Sequence, residues 1–128
     1  MNLLLDTCTF IWLVSDPGQL SQAATDAIDD AANELSLSDA TLWEICLKWQ
    51  LGKIGLPAPP RTWVEQQGDR WGVQRVAIQR SHLYRVSELP LHHKDPFDRL
   101  LVAQSIEQGL TLVTPDPEIQ RYPAAVLW

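Results

Sequence analysis

Acidic residues that could bind a metal ion lie at four separated points of the sequence. Asp6 and Asp116 each follow a short apolar run, Glu44 lies in an amphipathic stretch, and Asp98 lies in a strongly apolar one. Hard divalent cations such as Mg²⁺ bind carboxylate oxygens, and such a cation can hold a phosphate group and generate hydroxide. The pattern therefore suggests a metal-dependent hydrolase, provided that the fold brings these side chains together.

Asp98 is the acid that is hardest to explain as an ordinary surface residue. Asp95, followed by proline, predicts an N-cap with proline at the first helical position, and the helix is predicted over residues 96–108. At about 100° per residue, Asp98 points between Leu101 and Val102, into the apolar arc of this helix. A carboxylate in that position is costly unless something compensates its charge.

Each of the other acids also has a purely structural explanation. Asp6 and Asp95 suit N-caps, and Asp116 lies between two prolines, where a turn residue is expected. Glu44 is predicted on the polar side of its helix, four residues before Lys48, a spacing that favours an ion pair. These alternatives stay open for any single acid. The placement of several acids at strand ends and on neighbouring helices favours a shared metal ion.

Apolar runs alternate with helical patterns along the whole chain. This alternation predicts an α/β fold, with a mainly parallel sheet between two layers of helices in a three-layer α/β/α arrangement. Sites in such sheets lie beyond the carboxyl ends of the strands, near a topological switch point, where Asp6 and Asp116 are expected. The predicted strands cover residues 2–5, 34–38, 73–78, 110–114 and 125–128, and the predicted helices cover residues 7–14, 22–31, 41–51, 61–71, 79–88 and 96–108, with a helical turn at 118–122.

The helix predicted over residues 41–51 has apolar residues at helical spacing. Leu42, Ile45, Cys46 and Trp49 lie at positions i, i+3, i+4 and i+7 and are predicted to face the core.

Length and composition describe one ordinary domain, residues 1–128, with 45% hydrophobic residues. Two cysteines, Cys8 and Cys46, are too few for a disulfide framework, and we expect both to be reduced and to pack as small hydrophobes. The first residues carry no basic segment of a signal peptide, and no apolar run approaches the roughly 20 residues of a membrane span. We therefore expect a cytoplasmic protein without a membrane segment.

The net charge of −6 argues against a general nucleic-acid binder, but the charge is unevenly distributed. Residues 1–47 carry no lysine or arginine, so all 10 basic side chains lie in residues 48–128. This distribution either arises by chance or places an acidic metal site beside a phosphate-binding rim.

Motifs of other hydrolases are absent from the sequence. It contains no nucleophile elbow, no P-loop, no glycine-rich dinucleotide turn and no zinc-ligand spacing. His92 and His93 are adjacent, which is poor geometry for joint metal ligation, so we expect loop residues that contact phosphate at most. His82 is expected at the surface or in packing.

Four motifs in order resemble the PIN domain family. They are Leu3–Thr7, Leu42–Ile45, His93–Gln104 and Leu112–Asp116, and the resemblance extends from end to end of the chain. Within the family, the sequence is most similar to the VapC-type ribonuclease toxins of bacterial toxin–antitoxin systems. One departure is Pro115 before the last acid, where the family commonly has a basic or small residue.

The resemblance implies a PIN-like fold and a Mg²⁺- or Mn²⁺-dependent endoribonuclease that leaves 5′-phosphate and 3′-hydroxyl ends. It implies that Asp6, Asp98 and Asp116 bind the metal and that Glu44 is a further ligand or a water-mediated partner. The residues that it places in supporting positions are Thr7, Asp95 and Thr114.

The resemblance also implies partners: RNA as substrate, an antitoxin protein and a second copy of the chain. Lys48, Lys53 and Lys94 are the nearest candidates for contacts with RNA phosphates. Arg99 is expected either to join them or to pair with a site carboxylate. Large apolar residues of the helices nearer the N-terminus either form a groove for a partner or belong to the core: Ile11 and Trp12 in residues 7–14 and Trp49 in residues 41–51.

Two other functions remain possible from the sequence. One is a PIN-fold module without catalysis that acts through protein interaction, although the intact set of acids argues against it. The other is an aspartyl-phosphate-type phosphatase, for which Cys8 stands where a second aspartate would be expected.

Overall fold

The computed structural model describes residues 1–128, in which five strands form one parallel sheet. The strands are β1 (Asn2–Leu5), β2 (Glu34–Ser38), β3 (Gln74–Val76), β4 (Thr111–Val113) and β5 (Val126–Leu127). Across the sheet the strand order is β3-β2-β1-β4-β5, and every neighbouring pair is parallel, so the predicted parallel sheet is confirmed.

Six helices connect the strands, and several begin or end at the predicted residues. The helices are α1 (Thr7–Ser15), α2 (Gln22–Asp29), α3 (Asp39–Gln50), α4 (Pro60–Trp71), α5 (Arg80–Glu88) and α6 (Pro96–Gln108), and two short 3₁₀ helices cover Pro17–Gln19 and Ile119–Arg121. The Ser21 hydroxyl caps α2 by accepting a hydrogen bond from the amide of Ala24, and Asp95 caps α6. Gly109 ends α6 with a positive φ of 64°, a conformation that glycine adopts without strain.

The leucines of β1 alternate between two separate hydrophobic cores. Leu3 and Leu5 pack in a core with Phe10 of α1 and Trp63 of α4. Leu4 points to the opposite face and packs in a second core with residues of α6 such as Leu101. Because both faces of the sheet are covered, the strand is apolar throughout rather than alternating. The predicted three-layer α/β/α architecture is confirmed.

Helix α3 packs through a face that matches the prediction only in part. Ile45 is buried as expected, but Cys46 is exposed and Trp49 is 42% exposed, and Thr41 and Glu44 are buried instead. The helix contacts both α4 and α6, and this placement selects the buried face. The predictions that Cys46 and Trp49 face the core and that Glu44 lies on a polar face were therefore wrong.

The carboxyl ends of β1 and β4 lie side by side at the centre of the sheet. The chain runs from β1 outward to β2 and β3 and then crosses to β4 on the other side of β1, which makes this the topological switch point. The amide of Asp6 donates to the carbonyl of Val113 at 3.2 Å, which joins the two strand ends. None of the helices has the length and apolarity that crossing a membrane requires.

Candidate active site

Asp6 lies at the end of β1 and also caps α1. Its Oδ1 atom accepts a hydrogen bond from the amide of Thr9 at 2.8 Å and one from the Cys8 thiol at 3.4 Å. Burial raises the pKa of the Asp6 carboxyl above its ordinary value, although hydrogen bonds from Thr114 and Thr9 lower it in part. Asp6 can therefore be both an N-cap and a site residue, because the capping carboxylate lies at the end of β1, at the switch point.

Glu44 is buried, and both of its carboxylate oxygens have partners. Oε1 accepts a hydrogen bond from the Thr7 hydroxyl at 2.6 Å, and Oε2 lies 2.6 Å from Nζ of Lys48. The hydrogen bond to Glu44 is the main reason why the pKa of the Lys48 ammonium is raised. The ion pair expected from the spacing is therefore present, but its carboxylate is buried and only its lysine is partly exposed.

Asp98 lies in the first turn of α6 and has a strongly perturbed carboxyl group. Burial, followed by the negative charges of Asp95, Glu44 and Asp6, raises its pKa from 3.8 to about 7. His93 opposes this shift. Several carboxylates therefore repel one another here, and the apolar face of α6 supplies the low-dielectric surroundings that make the repulsion strong.

Asp95 is the N-cap of α6, as one of the two interpretations predicted. Its Oδ1 atom accepts hydrogen bonds from the amides of Phe97 at 2.8 Å and Asp98 at 3.3 Å. Its charge also contributes to the raised pKa of Asp98. Asp95 therefore has both a structural role and an electrostatic one.

Asp116 follows β4 in a turn, and one of its oxygens faces the other acids. Its amide donates to the Thr114 hydroxyl at 3.1 Å, and its Oδ1 atom accepts from the amide of Glu118 at 2.9 Å. These bonds fix the loop that contains Pro115, so that Oδ2 lies 2.7 Å from Nε2 of His93. The turn interpretation is thus correct for the backbone, while the carboxylate points towards Asp98.

His93 lies between two of the site carboxylates, which the sequence analysis missed. Its Nε2 atom is 2.7 Å from Oδ2 of Asp116 and 3.2 Å from Oδ2 of Asp98. Burial lowers the pKa of the imidazole, but the hydrogen bond to Asp116 and the charges of Asp98 and Asp116 outweigh burial and raise it. The signal was the position of His93, two residues before the N-cap of the acidic helix. His92 instead packs its ring on Tyr122.

Arg99 takes neither of the two roles predicted for it. Its guanidinium is buried and donates to the carbonyls of Val86 and Pro90 at 2.8 and 2.9 Å and to the Tyr122 hydroxyl at 3.0 Å. Arg99 therefore contacts no site carboxylate, and it is not accessible to RNA. The physical reason is that Arg99 follows Asp98 by one residue on the helix. Its side chain therefore leaves α6 on the side that faces α5 and not on the side that faces the acids.

The three lysines proposed as RNA contacts line one groove beside the acids. Lys48, Lys53 and Lys94 border a cavity of about 380 Å³, together with Glu44 and Asp95. Lys53 and Lys94 are exposed, whereas Lys48 is held by Glu44. The three lysines, which we call the basic rim, therefore lie beside the acidic cluster of Asp6, Glu44, Asp98 and Asp116. This arrangement agrees with the uneven charge distribution of the sequence.

The donor set fits a hard divalent cation. Carboxylate oxygens of Asp98 and Asp116 lie within 4.8 Å of each other, the same distance limit includes a ring nitrogen of His93, and all three side chains are partly exposed. Burial, followed by the charges of Asp95 and Glu44, disfavours the ionised form of Asp98 and so raises its pKa. A bound cation would stabilise that ionised form, and carboxylates with access to water are the ligands that Mg²⁺ and Mn²⁺ prefer.

Comparisons with known proteins agree with this geometry. The sequence profile of the PIN domain matches residues 3–125. Ribonuclease VapC22 from Mycobacterium tuberculosis (strain ATCC 25618 / H37Rv) is 33% identical over 128 residues, covering 98% of this chain and 96% of the relative.

Solved structures with the same fold include VapBC2 from Rickettsia felis bound to a DNA fragment from their promoter. This structure has a TM-score of 0.74 and 17% identity, and the match covers 98% of this chain and 97% of the other. A DNA-bound VapBC from Salmonella typhimurium has a TM-score of 0.70 and 16% identity, with 98% and 96% covered.

Proposed function

This chain belongs to the PIN domain family, and we propose that it is a metal-dependent endoribonuclease and the toxin of a bacterial toxin–antitoxin pair. The observation that carries the proposal is the cluster of acids around Asp98, whose pKa is raised to about 7 by burial and neighbouring carboxylates. The ribonuclease name of the full-length relative supports RNA as the substrate.

Asp6, Asp98 and Asp116 hold Mg²⁺ or Mn²⁺ in this proposal, and Glu44 is a further ligand or acts through a water molecule. The bound cation supplies an activated water and neutralises charge on the phosphodiester. Thr7 and Lys48 hold the two Glu44 oxygens in place. Thr114 holds the loop that carries Asp116.

RNA binds along the groove that Lys48, Lys53 and Lys94 line. The exposed ammonium groups of Lys53 and Lys94 contact phosphates, while Lys48 is shared between Glu44 and the backbone of the RNA. These contacts with phosphates do not depend on the RNA sequence, so they position the RNA and do not select which RNA is bound. The scissile phosphodiester then lies where the rim meets the acids.

An antitoxin and a second copy of the chain are the proposed protein partners. The two structural relatives described above are VapBC assemblies, which supports an antitoxin. A cluster of carboxylates binds an arginine fork well, so an antitoxin arginine can occupy the place of the cation. Of the apolar residues considered for the docking groove, Trp49 is 42% exposed, whereas Ile11 and Trp12 are partly buried, and Trp12 packs on Trp128.

The test of the proposal is cleavage of end-labelled single-stranded RNA by the purified full chain. We expect cleavage with Mg²⁺ or Mn²⁺, none with excess EDTA, and none with Asp98→Asn. Asp69→Asn, which changes an exposed acid on α4, is the matched control and should cleave normally. Absence of cleavage with either metal would contradict the proposal.

The two other functions give different results. A non-catalytic module would bind a partner without cutting RNA. A phosphatase would hydrolyse small phosphate esters. Cys8 does not resemble the second acid of such an enzyme, because burial and the nearby charge of Asp6 raise the pKa of its thiol.

The toxin role has its own test in bacterial cells. Expression of the chain alone should slow growth, and co-expression of the protein encoded beside it should restore growth by direct binding. The Asp98→Asn form should be harmless and still bind that partner. Growth unaffected by the active chain would contradict the toxin role without touching the nuclease proposal.

A further inference from the structure

Both ring nitrogens of His93 are engaged, and their partners differ in kind. Nε2 faces the Oδ2 atoms of Asp116 and Asp98, at 2.7 and 3.2 Å. Nδ1 faces the backbone amide of Asp95, at 3.0 Å. Carboxylate oxygens accept hydrogen bonds, whereas a backbone amide only donates one. One ring nitrogen therefore has to donate a hydrogen bond, and the other has to accept one.

The contact with Asp95 decides which nitrogen carries the proton. An amide N–H that points at Nδ1 needs a lone pair there, so Nδ1 is unprotonated. A neutral imidazole then carries its proton on Nε2, from which it donates to Asp116 and Asp98.

This tautomer does not suit a metal ligand. A histidine that binds a metal does so through an unprotonated nitrogen and donates its other N–H to an acceptor. Here the nitrogen near the carboxylates carries the proton, and the other one faces a donor instead of an acceptor. Binding through Nε2 would require breaking the bond from Asp95 and placing Nδ1–H against it.

We propose that His93 is a positioning residue, whose Nε2–H holds the carboxylates of Asp116 and Asp98 in place and which never ligates the metal. The inference rests on the proposed nuclease function for its kinetic consequence only. A carboxylate has enough lone pairs to accept from His93 and still bind a cation. His93 thus contacts the metal ligands without binding the metal itself.

Buried hydrogen bonds hold His93 itself in position. Its amide donates to the Tyr122 hydroxyl at 2.8 Å, and Arg99 donates to the same hydroxyl at 3.0 Å. Arg99 is in turn fixed by the carbonyls of Val86 and Pro90. The arginine that follows Asp98 therefore anchors the loop that carries His93, which gives this buried cation a role in the site without any contact with substrate.

Nitrogen-15 NMR of the full chain with labelled histidine tests the tautomer directly. At a pH at which the ring is neutral, we expect His93 to show a protonated Nε2 and an unprotonated Nδ1, both without metal and after addition of Mg²⁺. Pulsed EPR of the Mn²⁺-loaded chain should show no directly bound nitrogen. A neutral ring protonated on Nδ1, or a nitrogen bound to Mn²⁺, would overturn the proposal.

Two substitutions separate positioning from simple packing. His93→Gln keeps an N–H donor near the position of Nε2, whereas His93→Asn keeps an acceptor near Nδ1 and loses that donor. We expect His93→Asn to lower kcat by about 10- to 100-fold with little change in KM, and His93→Gln to retain activity within a few-fold. Asp69→Asn is the control, since Asp69 is an exposed acid on α4 that has no contact with His93 or its anchor. Equal losses in both His93 variants would overturn the positioning role.

The spectroscopic measurements need no nuclease activity. If the chain cuts no RNA, the proposed function fails, while the His93 tautomer is still tested in the wild-type protein. If the chain cuts RNA and Mn²⁺ binds a nitrogen, only the positioning proposal fails.

Discussion

The Nζ atom of Lys48 lies 2.6 Å from Oε2 of Glu44, and Lys48 is the only lysine or arginine in an ion pair with the four predicted site acids. The other Glu44 oxygen accepts from Thr7, so the carboxylate is held on both sides. The pair links the basic rim of the groove to the acidic cluster. Glu44 therefore either stabilises its helix through this ion pair or takes part in catalysis.

Glu44→Gln answers that question. If Glu44 serves only its pair with Lys48, the change should cost less than about 0.5 kcal/mol and leave cleavage near normal. We predict that cleavage falls at least about a hundredfold with little change in stability, because a site carboxylate is lost. Lys48→Gln breaks the same pair, loses one proposed RNA contact and leaves the carboxylate, so it should reduce cleavage much less than Glu44→Gln. Activity of Glu44→Gln within a few-fold of wild type would refute the prediction.

Asp98→Asn should stabilise the metal-free protein at neutral and alkaline pH. The folded pKa of Asp98 is raised from 3.8 to about 7, so ionised Asp98 is disfavoured in the folded state. This penalty is absent below the unfolded pKa, grows between the two values and is complete above the folded one.

Thermal melts in EDTA across this pH range measure the effect. The melting temperature of Asp98→Asn should exceed that of wild type most at about pH 8, and the difference should vanish near about pH 4. Asp69→Asn should show no such trend. A variant that is less stable than wild type at alkaline pH would contradict the electrostatic account.

Arg99→Met should destabilise the fold without a direct effect on RNA binding. The change leaves the Tyr122 hydroxyl and the carbonyls of Val86 and Pro90 without their donor. Each unsatisfied buried group costs about 1–3 kcal/mol, so we expect a total loss on the order of 3–5 kcal/mol in urea unfolding. Arg80→Met, at an exposed position of α5, should have little effect. Unchanged stability together with weaker RNA binding would restore the RNA-contact role.

Lys53→Gln combined with Lys94→Gln should weaken RNA binding and its dependence on salt. Each phosphate contact to a single strand contributes about 0.7 to the slope of log K against log salt, so the slope should decrease by about 1.4. Fluorescence anisotropy in the inactive Asp98→Asn background measures it. Arg70→Gln, at the far end of α4, is the control. An unchanged slope would exclude the groove as the path of the RNA.

The fold could be predicted from the sequence because its signals are local. Asp95 before a proline marks the start of α6, Gly109 marks its end, and the apolar run of Asn2–Leu5 marks a strand buried on both faces. Helix α3 shows the limit of such signals. Its apolar stripe was plausible, but packing between α4 and α6 buried Glu44 and left Trp49 exposed.

Side-chain partners in the site depend on contacts between distant parts of the chain. Asp6 and Asp116 could be placed because both follow strands that meet at the switch point. The role of His93 could not be predicted, since its partner Asp116 is 23 residues away and is aimed by its own turn. Arg99 was misassigned for the same reason: its three acceptors lie on α5, on the loop after it and near the C-terminus.

The most direct test of the account is the chemistry of the cleavage products. RNA is incubated with the full chain and Mg²⁺ or Mn²⁺ in water enriched in oxygen-18, and both new ends are identified by mass spectrometry. Hydrolysis at the acidic cluster predicts a 3′-hydroxyl end and a 5′-phosphate that carries one oxygen from water, with neither product formed in EDTA or by Asp116→Asn. Ends with a 2′,3′-cyclic phosphate, or the same cleavage in EDTA, would contradict the claim that these carboxylates act through a metal ion.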